Sequence, residues 1–169
     1  MKKTILTAAL VLMSIGAFAQ QNAFVNTELI FRSIPEYNAA IEQLDALART
    51  EQEKVDADFA RVAEMYERYQ YQKQSLSENA RRQVEENIIR LEQEATTRQS
   101  EIFGQDGTLM VRRVELLKPI QDKVFAVIDA LAQTKGCDQV LDISNNPSVV
   151  YYNKANDLSP DVLKALGIN

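Results

Sequence analysis

The apolar positions of this chain follow two rhythms. From Pro35 to about Lys135 they recur at steps of three and four residues or their sums, first through Tyr37, Ile41, Leu44, Ala48, Val55, Phe59, Val62 and Tyr66. Such spacing makes one narrow stripe on a helix. A second stripe runs through Val84, Ile88, Leu91, Ala95 and Ile102, then thickens to Leu109, Leu116, Ile120, Val124, Val127, Ile128 and Leu131. Two narrow stripes predict two helices that bury their apolar lines against each other. Between them, KQSLSENARR offers Ser75 followed three residues later by Glu78, the pattern of a capping box, and Ser77 as a second N-cap. The turn of a helical hairpin is therefore expected within residues 74–79. From Pro35 to that turn there are about 40 residues, a reach of ~60 Å at helical rise. A domain of this size needs less, so the hairpin is expected to project as an arm. Glu64/Arg68, Glu78/Arg82, Glu86/Arg90 and Glu94/Arg98 are pairs at i,i+4, each adding ~0.2–0.5 kcal/mol to a helix held by its own surface.

Outside the arm the rhythm shortens. NAFVN near residue 22, DQVLDIS at Asp138–Ser144 and SVVYYN at Ser148–Asn153 are rich in Val, Ile and Tyr and bounded by turn formers, which predicts three strands. Asn145, Asn146 and Pro147 would turn the last two into a hairpin. Ser159 as N-cap and Pro160 at the first helical position are expected to start a short terminal helix that Gly167 closes as C-cap. The fold class expected is α+β, mostly α: a long antiparallel helical hairpin at residues 35–115 on a small β-rich body made of residues 20–34 and 116–169. A body of that size has little core of its own. Phe24, Val25, Leu141, Ile143, Val150 and Tyr152 would complete it with other copies of the chain, or the helix from Leu116 to Leu131 would cover the strands within one subunit.

The first residues, MKKTILTAALVLMSIGAFAQ, combine two lysines, an apolar run and Ala17-Phe18-Ala19. They read as a secretory signal peptide spanning residues 1–19, cleaved after Ala19; an uncleaved anchor is the alternative. The apolar run falls short of the ~20 residues a spanning helix needs. Cleavage would remove two lysines and no acid, leaving 17 basic and 24 acidic side chains and a net charge of −7. That balance argues against nucleic-acid binding. The chain has no histidine and one cysteine, Cys137, which excludes His-based triads, thiolate clusters and an intrachain disulfide. Its glycines lack phosphate-loop spacing, and its many carboxylates fall on solvated helical faces. Neither an enzyme nor a cofactor is expected.

ELLKPIQDKVFAVIDALAQTKGCDQVLDIS with VVYYNKANDLSPDVLKALGI resembles the C-terminal half of the Skp (OmpH-like) periplasmic chaperones, and AFVNTELIFRSIPEY resembles their first strand and helix. The resemblance covers the mature chain in order. It implies a homotrimer whose hairpins extend as tentacles around a cavity that holds unfolded outer-membrane β-barrel proteins without ATP. An adaptor whose coiled coil docks on a fixed envelope partner is the rival reading. Typical members of that family are strongly basic, so attraction to anionic lipid does not carry over to this acidic chain, and contact with a membrane surface is left open.

With the resemblance in place, Pro119 is expected to kink the arm where it meets the body, and Gly104 and Gly107 to form a hinge, since each glycine weakens a helix by ~1 kcal/mol. Near the tip, Tyr66, Tyr69 and Tyr71 cannot all lie on one stripe. They are expected, with Arg68, Lys73, Arg81 and Arg82, to contact clients, because tyrosine offers a large amphipathic surface at small entropic cost. The alternative is that Tyr66 and Tyr69 close the hairpin seam and leave Tyr71 free.

Overall fold

The computed structural model describes residues 21–168, so the signal-peptide reading lies outside the described residues. In chain order the elements are β1 (Asn22–Val25), α1 (Thr27–Arg32), α2 (Pro35–Gln72), α3 (Glu78–Phe103), α4 (Thr108–Lys135), β2 (Gln139–Asp142), a 3-10 turn (Lys154–Asn156) and α5 (Ser159–Ala165). They fall into two compact units, one formed by Ile34–Lys123 and the other by the described residues on either side of it.

In the first unit, α2 starts at Pro35, whose fixed φ suits the first helical position. It runs 38 residues to Gln72. Ser77 rather than Ser75 caps α3: its hydroxyl accepts from the Ala80 N–H at 3.3 Å, while Ser75 turns back onto the Gln72 carbonyl. The two helices run antiparallel, as the cross-links Asp58 to Arg98, Met65 to Asn87 and Tyr69 to Glu85 demonstrate. Their seam is narrow. Val55 and Tyr69 on α2 and Ile88 and Ala95 on α3 are its buried residues. The first turns of α2 pack instead on α4, where Ala40, Leu44 and Leu117 form a cluster flanked by Tyr37, Ile41, Leu116 and Ile120.

Of the four expected Glu/Arg pairs, Glu64/Arg68 forms at 2.7 Å. Arg90 reaches forward to Glu94, Arg82 donates to Asn79, and Arg98 crosses the seam to Asp58 at 3.0 Å. Exposed pairs differ by so little energy that local geometry selects among them.

Gly104 and Gly107 interrupt the second stripe and separate α3 from α4. The break is tightly packed. A Cβ on Gly104 would lie 2.3 Å from the Ser100 carbonyl oxygen, and one on Gly107 2.6 Å from that of Ile102. Pro119 breaks nothing: α4 continues through it. Its ring is on the exposed side, where the carbonyl that loses its N–H partner can turn to water.

The second unit is built on β1, which pairs in parallel with β2 in the register Asn22 to Gln139, Ala23 to Val140, Phe24 to Leu141 and Val25 to Asp142. On its other side β1 forms the Phe24–Asp157 bridge, with the Leu158 N–H donating to the Phe24 carbonyl. Asn26 and Ser159 join β1 to α5 through an N–H to hydroxyl bond of 2.8 Å. α5 begins one residue earlier than expected, with Leu158 at the N-cap position. Ala23, Val25, Ile30, Val124, Ile128, Leu158 and Val162 are buried here.

The third expected strand is absent among the described residues. Ser148–Asn153 forms no ladder. The Ser148 and Val149 N–H groups are instead taken by the Asn146 side chain and carbonyl, a local turn that competes with strand pairing. The six residues expected to build the body differ in burial within the single chain. Val25 is buried, and Phe24, Leu141, Ile143 and Tyr152 are half-buried. Val150 is 94% exposed in the chain by itself. Tyr152 packs on Phe24 with ring centroids 5.2 Å apart.

Asp142 ties β2 to the start of α1. Its carboxylate accepts from the Thr27 hydroxyl and N–H and from the Ser144 N–H. Burial alone would raise its pKa, but these bonds outweigh it and hold the carboxyl below the ordinary value. A carboxyl lowered on folding stabilises above about pH 4, its unfolded value, and loses that contribution as pH falls through the folded one. Asp142→Asn is expected to cost roughly 1 kcal/mol at pH 7, given its solvent exposure, and to flatten the loss of stability below pH 4. Urea melts at pH 7 and in that acid range check both; parallel curves for the two proteins across the range would refute the assignment.

Candidate functional site

Among the described residues no group of three or more acidic, Cys or His side chains could hold a metal, and no helix is long and apolar enough to cross a membrane. What the structure presents is surface, chiefly at the turn between α2 and α3 and along the start of α4.

The three tyrosines near the turn have three different surroundings. Tyr69 is 4% exposed and its hydroxyl donates to the Glu85 carboxylate across the seam. Burial first, and then Glu85 through its hydrogen bond and charge, raises the phenol pKa above its ordinary value, so it keeps its proton at physiological pH. Tyr66 is 53% exposed and Tyr71 90%. Helical phase accounts for the contrast. At about 100° per residue, Tyr71 lies ~200° around from Tyr69 and Tyr66 only ~60° away. Tyr69 thus closes the seam, while Tyr66 and Tyr71 stay open to solvent.

The basic residues also divide. Arg68 is held by Glu64, and Arg82 by Asn79. Lys73 carries its ammonium 5.6 Å above the Tyr69 ring, a cation–π contact at the end of the seam. Arg81 is half-buried, and its Nε has no hydrogen-bond partner among the described residues.

Among the described residues, sequence periodicity passed over several exposed apolar positions, four of them within residues 35–115. Ile89 lies beside the seam residue Ile88, and Met110, Val111 and Val114 lie on α4 just beyond the glycine break. The signal was present as surplus: the Ile88-Ile89 doublet and the run LMVRRVELL hold more apolar residues than one narrow stripe can bury. Exposed apolar residues in such a group mark an interaction surface more often than scattered ones do. Cys137 is half-buried with a free thiol.

Comparison with known proteins bears on what this surface serves. The solved structure of an OmpH-like protein from Caulobacter crescentus CB15, provisionally assigned as an outer membrane chaperone, superposes with a TM-score of 0.66. The match covers 89% of this chain and 86% of that one at 13% sequence identity, which shows a shared fold. Among curated proteins no relative matches. The family model for outer membrane protein (OmpH-like) matches residues 21–166. Because that match takes in nearly the whole described chain, the protein belongs to the OmpH-like family.

Proposed function

We propose that this protein is an ATP-independent holdase chaperone that keeps unfolded outer-membrane proteins from aggregating in the periplasm. The observation that carries the reading is family membership over residues 21–166, and the solved relative's assignment as an outer membrane chaperone agrees with it. In this reading residues 1–19 are a cleaved signal peptide, and residues 35–115 form a tentacle on a body of residues 20–34 and 116–169. Three copies assemble through their bodies; that β2 pairs on one side only among the described residues, with Val150 and Tyr151 exposed in the single chain, supports this reading. No cofactor, active site or nucleic acid takes part.

The physical basis is weak contact repeated. Tyr66, Tyr71, Ile89, Met110, Val111 and Val114 leave apolar area on a surface otherwise polar, each giving a small, adaptable contact to an apolar client segment. Several arms multiply such contacts into avidity without a rigid pocket. They also hold β-prone segments apart and so suppress the edge pairing that drives aggregation.

The test is light scattering as a urea-unfolded outer-membrane β-barrel is diluted into residues 20–169, with the mass of any complex measured alongside. Suppressed scattering with about three chains per client is expected. Unsuppressed aggregation at excess protein would point to an adaptor with a folded partner. Tyr71→Ala is expected to leave the melting temperature unchanged, since the ring buries almost nothing, and to weaken client retention severalfold. Unchanged retention would remove Tyr71 from the client surface.

A further inference from the structure

Within the unit Ile34–Lys123, an open groove of about 380 Å³ lies where α3 gives way to α4 at the glycine break. Leu44 and Ala48 of α2, Ile102 and Phe103 of α3, and Leu109 and Met110 of α4 supply its apolar walls. Asp45 and Arg113 also line it. Both are exposed, and neither has a hydrogen bond or ion pair to another described residue. Gln105, also at the rim, adds an amide that can donate or accept. The groove thus offers an apolar floor with one unpaired carboxylate and one unpaired guanidinium beside that amide, at a size within the range of ligand sites.

That combination discriminates between occupants. A fatty acyl chain brings polar groups of one sign, which leaves either Asp45 or Arg113 unmatched. A docked helix has already spent its backbone groups on itself. An extended polypeptide brings, at every residue, a free N–H and a free C=O beside its side chain, so it can satisfy both charged groups while filling the floor. It does this without regard to sequence beyond one large apolar residue.

We propose that this groove is a subsite for an extended polypeptide segment: one aromatic or long aliphatic side chain enters it, a flanking peptide N–H donates to the Asp45 carboxylate, and a flanking carbonyl accepts from the Arg113 guanidinium. The proposal rests on the chaperone reading, which makes unfolded chains the natural source of such segments, and it adds a defined place to a surface of diffuse contacts. Continuity supports it. Met110 belongs both to the groove and to the exposed apolar group with Val111 and Val114.

The chain contains no tryptophan, so a peptide's tryptophan reports binding without background. The probe is an acetylated, amidated peptide of alternating Ser and Thr with one central Trp, titrated with residues 20–169. Saturable binding with blue-shifted emission is expected. Ala48→Phe, which fills the floor, is expected to weaken it at least tenfold. Asp45→Asn with Arg113→Gln, two exposed changes that leave the walls intact, is expected to weaken it severalfold with unchanged circular-dichroism melting. Equal binding by wild type and both variants overturns the subsite, as does a groove that takes a fluorescent fatty acid and not the peptide. Failure of the subsite is separable from failure of the chaperone reading. Suppressed barrel aggregation with peptide binding indifferent to Ala48 removes the groove alone; peptide binding that depends on Ala48, without suppression, supports the groove and removes the holdase.

Discussion

Replacing Ile30 by alanine is expected to lower stability by about 2–5 kcal/mol. Ile30 is fully buried, in a unit whose other elements are two four-residue strands, a 3-10 turn, a seven-residue helix and the end of α4. So small a core cannot spread the loss of one large side chain over many neighbours. α1 is six residues long, too short to be stable by its own hydrogen bonds. Its place is kept by burial of Ile30, by the Asn26 side chain that accepts from the Leu29 N–H at 2.9 Å, and by the bonds from Thr27 to Asp142. Leu29 is the internal control: adjacent on the same helix but half exposed, its replacement by alanine should cost under about 0.5 kcal/mol. Urea melts of both variants at one protein concentration check the pair, since self-association makes stability depend on concentration. Similar costs for the two would show that the α1 face is not what closes this core.

Gly107→Ala carries the second large effect, and here the sign decides. By helix propensity alone, alanine for glycine at a helix start is neutral or stabilising by up to ~1 kcal/mol. Steric contact predicts the opposite. The new methyl carbon would sit 2.6 Å from the Ile102 carbonyl oxygen and 2.8 Å from its carbon. Both are backbone atoms at the end of a 26-residue helix, which cannot turn aside as a side chain can. An expected loss of about 1–3 kcal/mol, with a fall in the melting temperature of the hairpin, follows. Gly104→Ala should behave alike through the Ser100 carbonyl, 2.3 Å from its added carbon. A stabilised Gly107→Ala protein would mean that the break is a loose joint, as propensity suggests. A destabilised one would mean that these glycines serve close packing.

The hairpin was legible because the information is local. Spacing of three and four places Val55, Ile88 and Ala95 on facing lines, and a hydroxyl followed by helix formers marks where α3 starts; at the last turns of α2 the stripe pointed to Tyr66, whereas Tyr69 is the buried ring. The terminal helix was legible for the same reason: proline at one end and Gly167, at φ +79°, at the other. The choice of Ser77 over Ser75 was not, because either can cap and a two-residue shift depends on how the turn closes. Much of the candidate surface was equally obscure. Tyr71 could be seen to leave the stripe, yet Ile89 and the Met110 to Val114 group stood out only once the seam had taken its share of apolar residues.

Local pattern was enough for long amphipathic helices folded back within residues 74–79 and for a short helix at the end, since each of these follows from forces acting over one or two turns. Tertiary structure alone decided the sheet. β1 and β2 lie more than a hundred residues apart, and their parallel pairing depends on where α4 delivers the chain. Ser148–Asn153 has strand composition and no strand, because a strand exists only where another edge receives its hydrogen bonds. The same holds for Arg98 choosing Asp58 and Tyr69 choosing Glu85: the partner is on the facing helix, and no local pattern names it.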